Sequence, residues 1–553
     1  MVEQESGSTE HWLGRARQLV PAAVARAKSA RSFVSRWSSI ASKLERIPPC
    51  LSDLSSHPFF AKNALCVEQL QSVSNAVSET IDLADRCSGP SAPPVGKLRM
   101  QSDLDAIAAK LDLCIHDCRL LIKTGVLGES NHPPASTTAA PDDSADVVRE
   151  LLARLQIGHS EAKQRAIDGL LEALRDDEKG VVALLGRSNI SALVQLLAAA
   201  TAPKMREKAA SVVCLLAETG NCEGLLISEG VLPPLIRLTE SGSLVGREKA
   251  VVSLQRLSMS AETARSIAGH GGVRPLIEVC QVGDSISQLA AAGTLKNLSA
   301  VAEARQSLVD EGIVRVMINI LDSGIVLGLK EYAAECLQNL TSSNESLRRA
   351  VVSEGGIRSL LAYLDGPLPQ EPAASALRNL VGSVSVDSLV SLGLLPRLVH
   401  VLRDGSPGAK QAAASAVCKI SSTPETKRLV GESGCLPLLL GLLEAKSGGA
   451  REVAAQAVAG LMSCPHNRRE VRKDERSVPS LVQLLDPSPQ NTAKKYAVCC
   501  LASMASSKRC RRMMISYGAI GYLKKLVDMD VPGAKKLLER MERGSLRSLF
   551  GKK

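Results

Sequence analysis

Hydrophobic residues in the carboxy-terminal two-thirds of this chain fall into short helical blocks, and the blocks themselves recur about every forty residues. Seven glycines mark the repeat: Gly230, Gly272, Gly312, Gly356, Gly393, Gly434 and Gly518, at intervals of 42, 40, 44, 37, 41 and 84 residues. The last interval is a double period, with Ser477 standing where a glycine is missing. An apolar block follows each, often carrying proline: VLPPLIRL from Val231, VRPLIEV from Val273, LLPRLVHVL from Leu394, CLPLLLGLL from Cys435. Further on comes a stripe of small residues, AAAGTLKNLSA from Ala290, YAAECLQNLT from Tyr332 and PAASALRNLV from Pro372. This pattern predicts three helices per unit. The first ends at the glycine, where a left-handed turn costs a residue without Cβ little. The second tolerates proline in its first turn, and the third carries the alanine-rich stripe. A helical period near forty predicts an α-solenoid, whose units cannot bury their apolar faces alone.

The amino-terminal third has no such period. The first ten residues are assigned to disorder. Residues 11–127 predict a bundle of four helices, with breaks at Ile47-Pro48-Pro49, at His57-Pro58 and through the Pro/Ser/Gly stretch from Ser88 to Gly96. The spacing of Leu19, Val20, Val24, Phe33, Trp37, Ile40 and Leu44 suits a packed helix pair, and Leu104, Ile107, Leu111, Cys114, Cys118 and Leu121 form one apolar face. Residues 128–145 are polar, aperiodic and rich in proline, and read as a linker. Repeats occupy 146–530. A charged capping unit comes first, eight units follow from Asn189 to Ser477, and a partial unit starts at Gly518. Residues 531–553 read as a separate basic helix and tail.

Composition narrows the function classes. Aromatics are 2% against 45% hydrophobic residues, so the core is Leu, Val, Ile and Ala. No run of eighteen apolar residues reads as a membrane span. The fifteen cysteines lie singly, closest at Cys114/Cys118 and Cys499/Cys500, with no CxxC. They read as buried thiols in a reducing compartment, cytoplasmic or nuclear. The sequence holds no phosphate loop, no HExxH and no GxSxG, and the eight histidines lack partners at metal spacing. His400 reads as a surface or packing histidine, and Glu172 with Asp176 as a solvated face. No enzymatic activity, cofactor or metal is expected.

The net charge of +10 is concentrated at both ends: eight Lys/Arg against one acid in 11–46, and thirteen against four in 508–553. Glu3, Glu5 and Glu10 make the amino terminus a poor transit peptide.

Three-helix units bearing GVRPLIEV and then AAGTLKNLS resemble armadillo repeats. The segment from Gly96 to Leu127 resembles the end of the helical domain that precedes the U-box in plant armadillo-type ubiquitin ligases. Those ligases hold a U-box between bundle and repeats, and here only the short linker occupies that place. The chain therefore resembles the U-box-less branch of these proteins, and ligase activity does not carry over. The resemblance implies an all-α architecture, with a helical bundle followed by a right-handed armadillo superhelix whose third helices line a concave face.

Aligning the ends of the third helices gives one residue per repeat: Leu215, Arg256, Asn297, Asn339, Asn379, Lys419, Gly460 and Ser503. Three consecutive asparagines are bracketed by cations, and Lys296 and Arg378 precede two of them. An asparagine amide offers donor and acceptor for two-point bonding to an extended peptide, and the cations Arg256, Lys296, Arg378 and Lys419 favour an acidic one. Holding the stack together is the equal alternative. The family's nuclear-import receptors pair their asparagines with tryptophans; Trp12 and Trp37, in the bundle, are the only two here, so import is not expected. The expected partner is a protein. The alternatives are an adaptor or competitor beside a ubiquitin ligase and a peripheral membrane scaffold. At the basic end, Lys508, Arg509, Arg511, Arg512, Lys535, Lys536, Arg540, Arg543 and Arg547 are candidates for contact with an anionic surface, against a plain capping helix. Nucleic acid is not expected, because no aromatic set is interleaved for base stacking. The chain is read as a monomer.

Overall fold

The computed structural model describes residues 8–58, 60–88, 96–123, 143–157, 160–198 and 202–550. Among these residues the regular structure is helical, and the chain forms two compact units, 1–253 and 254–553.

The amino-terminal unit begins with five α-helices rather than four: α1 (Thr9–Ser29), α2 (Val34–Glu45), α3 (Ile47–Ser55), α4 (Ala64–Ser88) and α5 (Lys97–Lys123), with a 3-10 turn at Phe60–Lys62. The extra break lies just before Val34, where Phe33 adopts φ 55° and redirects the chain. Pro48 and Pro49 sit in the first turn of α3, so they open that helix. The disorder assigned to the first ten residues is also corrected at its inner edge. Ser8 caps α1 by accepting the His11 N–H at 3.3 Å, and residues 1–7 lie outside the described set. Trp37, Leu44, Leu51, Leu54, Leu70, Leu104 and Leu111 are buried together in the bundle core.

The predicted linker falls on residues 128–142, outside the described set. Its last three residues already belong to α6 (Asp143–Gln156). Within this unit α6 is seated on the bundle: Ala153 and Ile157 join the bundle core. Arg154 Nη1 donates to both carboxylate oxygens of Glu68 on α4, at 2.9 and 2.8 Å, while Nε and Nη2 donate to Glu150 Oε1 one turn back at 3.0 and 2.9 Å. A guanidinium whose donors point in fixed directions can hold the two carboxylates at once, which ties α6 to α4.

The carboxy-terminal unit is a run of three-helix repeats. Its third helices are Ser285–Ala300, Leu327–Thr341, Glu371–Leu380, Pro407–Ile420, Gly448–Leu461, Lys494–Met504 and Ala534–Phe550, each packed on the next. The boundary glycines need one correction. Left-handed φ occurs at Gly230, Gly312, Gly393, Gly434 and Gly518 as expected, but at Gly271 and Gly355 rather than Gly272 and Gly356. In each doublet the first glycine takes the turn and the second starts the next helix. Gly356 is confined for a different reason: a Cβ there would meet Val351 Cγ1 at 2.7 Å and Val351 O at 2.9 Å. Where the glycine is missing, Asp474 closes the turn through its carboxylate, which accepts the N–H groups of Arg476 and Ser477 at 2.9 Å each.

The last repeat is complete rather than partial. Ala534–Phe550 occupies the third-helix position, burying Leu537 and Met541 against its neighbours, so the predicted separate helix and tail is, over these residues, the third helix of that repeat.

Candidate functional site

Leu215 belongs to the amino-terminal unit, and the other seven aligned positions belong to the carboxy-terminal one. Asn297, Asn339 and Asn379 are half-buried at the last turns of successive third helices, while Arg256 and Lys419 are exposed.

The asparagines form a ladder. Asn297 Nδ2 donates to Ser258 Oγ at 2.8 Å, Asn339 Nδ2 to Ser299 Oγ at 3.0 Å and Asn379 Nδ2 to Thr341 Oγ1 at 3.3 Å. Each acceptor lies on the preceding third helix, two residues beyond that helix's own aligned position. These hydroxyls are buried, and each gives its single proton to a carbonyl of its own helix: Gln255 O, Lys296 O and Leu337 O. Such an oxygen still needs a donor for its lone pairs, and the next repeat's amide supplies it.

The same register explains where the ladder stops. Lys419 stands opposite Val381, which has no hydroxyl. Gly460 stands opposite Ser421, whose buried Oγ has no partner among the described residues. Ser503 Oγ donates to Cys500 O of its own helix at 2.8 Å and across the step lies 3.9 Å from Met462 Sδ. A Cβ placed on Gly460 would meet nothing within 4 Å, so the space for the missing side chain is present.

This geometry revises the predicted groove. Two-point bonding by Asn379 is closed off, because its Oδ1 already accepts from Arg378 Nε and Nη2 at 3.3 and 3.1 Å. Asn297 and Asn339 each commit an amide proton to the stack and keep Oδ1 without a partner among the described residues. Lys296 lies 3.5 Å from Glu335 and 5.4 Å from the centre of the Tyr332 ring, so its charge is engaged. Arg256 and Lys419 make no ion pair among the described residues. Burial, and then the positive charges of Arg378 and Arg348, lower the Lys419 ammonium below the usual lysine range. An anion beside these three cations would relieve that repulsion.

Sequence reading missed a second device at the same helix ends. Arg305 Nε and Nη2 donate to Ser299 O and Ala300 O at 2.7 and 3.1 Å. Arg348 Nη1 donates to Ser343 O at 2.7 Å, and Arg468 Nε and Nη2 donate to Met462 O and Ser463 O at 3.0 and 3.3 Å. A cation there satisfies orphan carbonyls and the negative end of the helix dipole. Its signal was an arginine eight or nine residues past the aligned position.

At the basic end, Arg509 pairs with Glu475 at 3.0 Å and Arg540 reaches Ala502 O at 3.5 Å. Lys508, Arg512, Lys535 and Lys536 are exposed and Arg511 is half-exposed. The side chains of Arg543 and Arg547 lie outside the described residues.

Burial pushes the thiols of Cys66, Cys118 and Cys336 up to about 12, out of the range of a nucleophile at neutral pH. His400 is exposed on its helix, 3.2 Å from Asp404 one turn on.

Residues 14–126 match the model of a family described as a domain of unknown function, DUF7032. A curated relative, U-box domain-containing protein 8 of Arabidopsis thaliana, is 35% identical over 100 residues, which is 17% of this chain and 26% of that protein. Among solved structures, an engineered protein superposes with a TM-score of 0.61 at 25% identity, covering 72% of this chain and 98% of that one. A designed armadillo-repeat protein matches over 42% of this chain and 99% of that one, with 20% identity and a TM-score of 0.39. Among the described residues the chain is all-α, with a solenoid of three-helix repeats, and it is similar over part of its length to a plant U-box protein.

Proposed function

We propose that this chain is a non-enzymatic interaction scaffold whose third-helix face takes an extended, acidic segment of a partner protein. One observation carries the reading: two exposed cations without carboxylate partners, Arg256 and Lys419, bracket Asn297 and Asn339, whose Oδ1 atoms are left open by the ladder. The ladder holds these amides in place, so their oxygens are ready to accept N–H groups from an extended backbone without further ordering cost. Third helices packed about 8–10 Å apart put Arg256 and Lys419 at the ends of a path long enough for about ten extended residues. The rest of that path is mixed in charge, with Glu335 and Glu371 on the same helices, so the terminal cations set the preference.

The test uses the full chain and a fluorescein-labelled ten-residue polyglutamate peptide, followed by fluorescence anisotropy. Arg256→Glu with Lys419→Glu should weaken binding at least about tenfold while leaving the melting temperature unchanged, because neither side chain holds the fold. Equal binding by the variant would reject the groove.

A second reading is favoured by the match to U-box domain-containing protein 8. The chain would then act beside a ubiquitin ligase as adaptor or competitor.

A further inference from the structure

We propose that the outer face of helices Lys508–Ser516 and Ala519–Asp528 docks on an anionic lipid surface. Tyr517 and Tyr522 are 53% and 37% exposed, and they are the aromatic members of the large exposed apolar side chains among the described residues. On Ala519–Asp528, residues Ala519, Leu523 and Leu526 face the core. Tyr522, Lys525 and Met529, at three- and four-residue steps, flank that buried face about a quarter-turn round the helix, and Lys524 lies further round the exposed side, next to Asp528. On Lys508–Ser516, Cys510 and Met514 face inward. Lys508 with Arg512, and Arg511 with Ile515, lie one turn apart on the outside.

Charge sets this face apart from the rest of its unit. Elsewhere in the unit some arginines are matched, Arg315 with Glu354, Arg397 with Asp365 and Arg428 with Glu432. Those exposed without an ion pair among the described residues, Arg256, Arg358, Arg403, Arg469 and Arg476, are spread along the repeats rather than gathered on one. Here Arg509 has Glu475. Lys508, Arg511, Arg512, Lys524, Lys525, Lys535 and Lys536 make no ion pair among the described residues. Asp528, Asp530, Glu539 and Glu542 are the acids that share the segment, and the sequence adds Arg543, Arg547, Lys552 and Lys553 beyond them.

The mixture selects the partner. A nucleic acid would reward the cations through phosphates but leave Ile515 and Met529 in water. An anionic bilayer interface accommodates every part. Tyrosine rings sit at the headgroup level, Ile515 and Met529 enter the acyl boundary, and lysine stems lie along the apolar surface with their ammonium groups among the lipid phosphates. Each cation near such a surface multiplies affinity about fivefold, so the cluster gives salt-sensitive, reversible binding without a spanning helix.

The experiment is sedimentation of the full chain with vesicles of phosphatidylserine and phosphatidylcholine, against phosphatidylcholine alone, at low and high salt. The expected result is binding that requires phosphatidylserine and falls as salt rises. It should drop at least about tenfold in Lys524→Glu/Lys525→Glu and severalfold in Tyr522→Ser/Met529→Ser, with the helical circular dichroism of both variants unchanged. Equal binding to neutral vesicles would overturn the proposal. So would full retention of binding by both variants, which would move the contact to residues 11–46, or displacement from the vesicles by single-stranded RNA at equal phosphate.

Discussion

Within the carboxy-terminal unit, repeats of one period are held together in two ways. From Ser285 to Leu380 the tie runs between third helices, as an asparagine amide of one repeat satisfies a buried hydroxyl of the repeat before. From Pro407 to Met504 the aligned positions carry Lys419, Gly460 and Ser503, and the ladder ends. What remains are ties from the first helices, which the earlier repeats also have through Arg305 Nη1 to Ser343 Oγ at 3.3 Å and Arg348 Nε to Ser383 Oγ at 3.2 Å. Asn467, fully buried, donates through Nδ2 to Lys427 O at 2.8 Å and Leu461 O at 3.2 Å. Arg472 Nη2 reaches Ser503 O and Ser506 Oγ at 2.7 Å each. The difference teaches that buried acceptors are met by donors from different helices in different repeats rather than by one residue at a fixed place. Where no donor arrives, as at Ser421 Oγ, the acceptor has no partner among the described residues. It also separates the two faces: in the first region the ladder leaves carboxamide oxygens open on the third helices, and in the second the amide has gone into the core.

The comparison breaks most severely at Gly431. The Asn467 amide lies over its Cα where a Cβ would stand, and that amide is buried and bonded to two carbonyls. Gly431→Ala, ordinarily a gain of about 0.5–1 kcal/mol inside a helix, should instead destabilise by about 2–3 kcal/mol through overpacking and lost hydrogen bonds. A urea midpoint equal to or above the parent's would show that the second region does not depend on this tie.

A smaller loss is expected at Asn339. Removing its amide in Asn339→Ala leaves the Ser299 oxygen without a donor in a fully buried position, which costs about 1–2 kcal/mol after the better helix propensity of alanine is counted. An unchanged midpoint would reduce the first ladder to coincidence.

Much of this was legible in the chain and part was not, for physical reasons. The solenoid could be read because glycine, proline and small-residue stripes each report a backbone or packing demand that recurs with the unit. The register was missed by one residue at Gly271-Gly272 and Gly355-Gly356, because both glycines of a doublet permit the turn. The final segment has in its sequence the marks of a capping helix as well as of a basic tail, and it is the burial of Leu537 and Met541 that makes it a third helix. The asparagines were visible as a column, but their role depends on Ser258, Ser299 and Thr341, in the preceding repeat and two residues out of register. An alignment that looks for like residues at one position does not pair a donor with an acceptor at another. Ser421 was the clue, a fourth hydroxyl in that register facing a glycine.

That vacancy offers the most direct test. If the ladder is a tie between helices, Gly460→Asn should restore a rung by donating to Ser421 Oγ. The measurement is the denaturation midpoint of Gly460→Asn against Gly460→Ala, each with Ser421 present and with Ser421→Ala, as a double-mutant cycle. Asparagine should exceed alanine by about 1 kcal/mol when Ser421 is present and lose that advantage when it is absent. An asparagine effect independent of Ser421 would contradict the ladder.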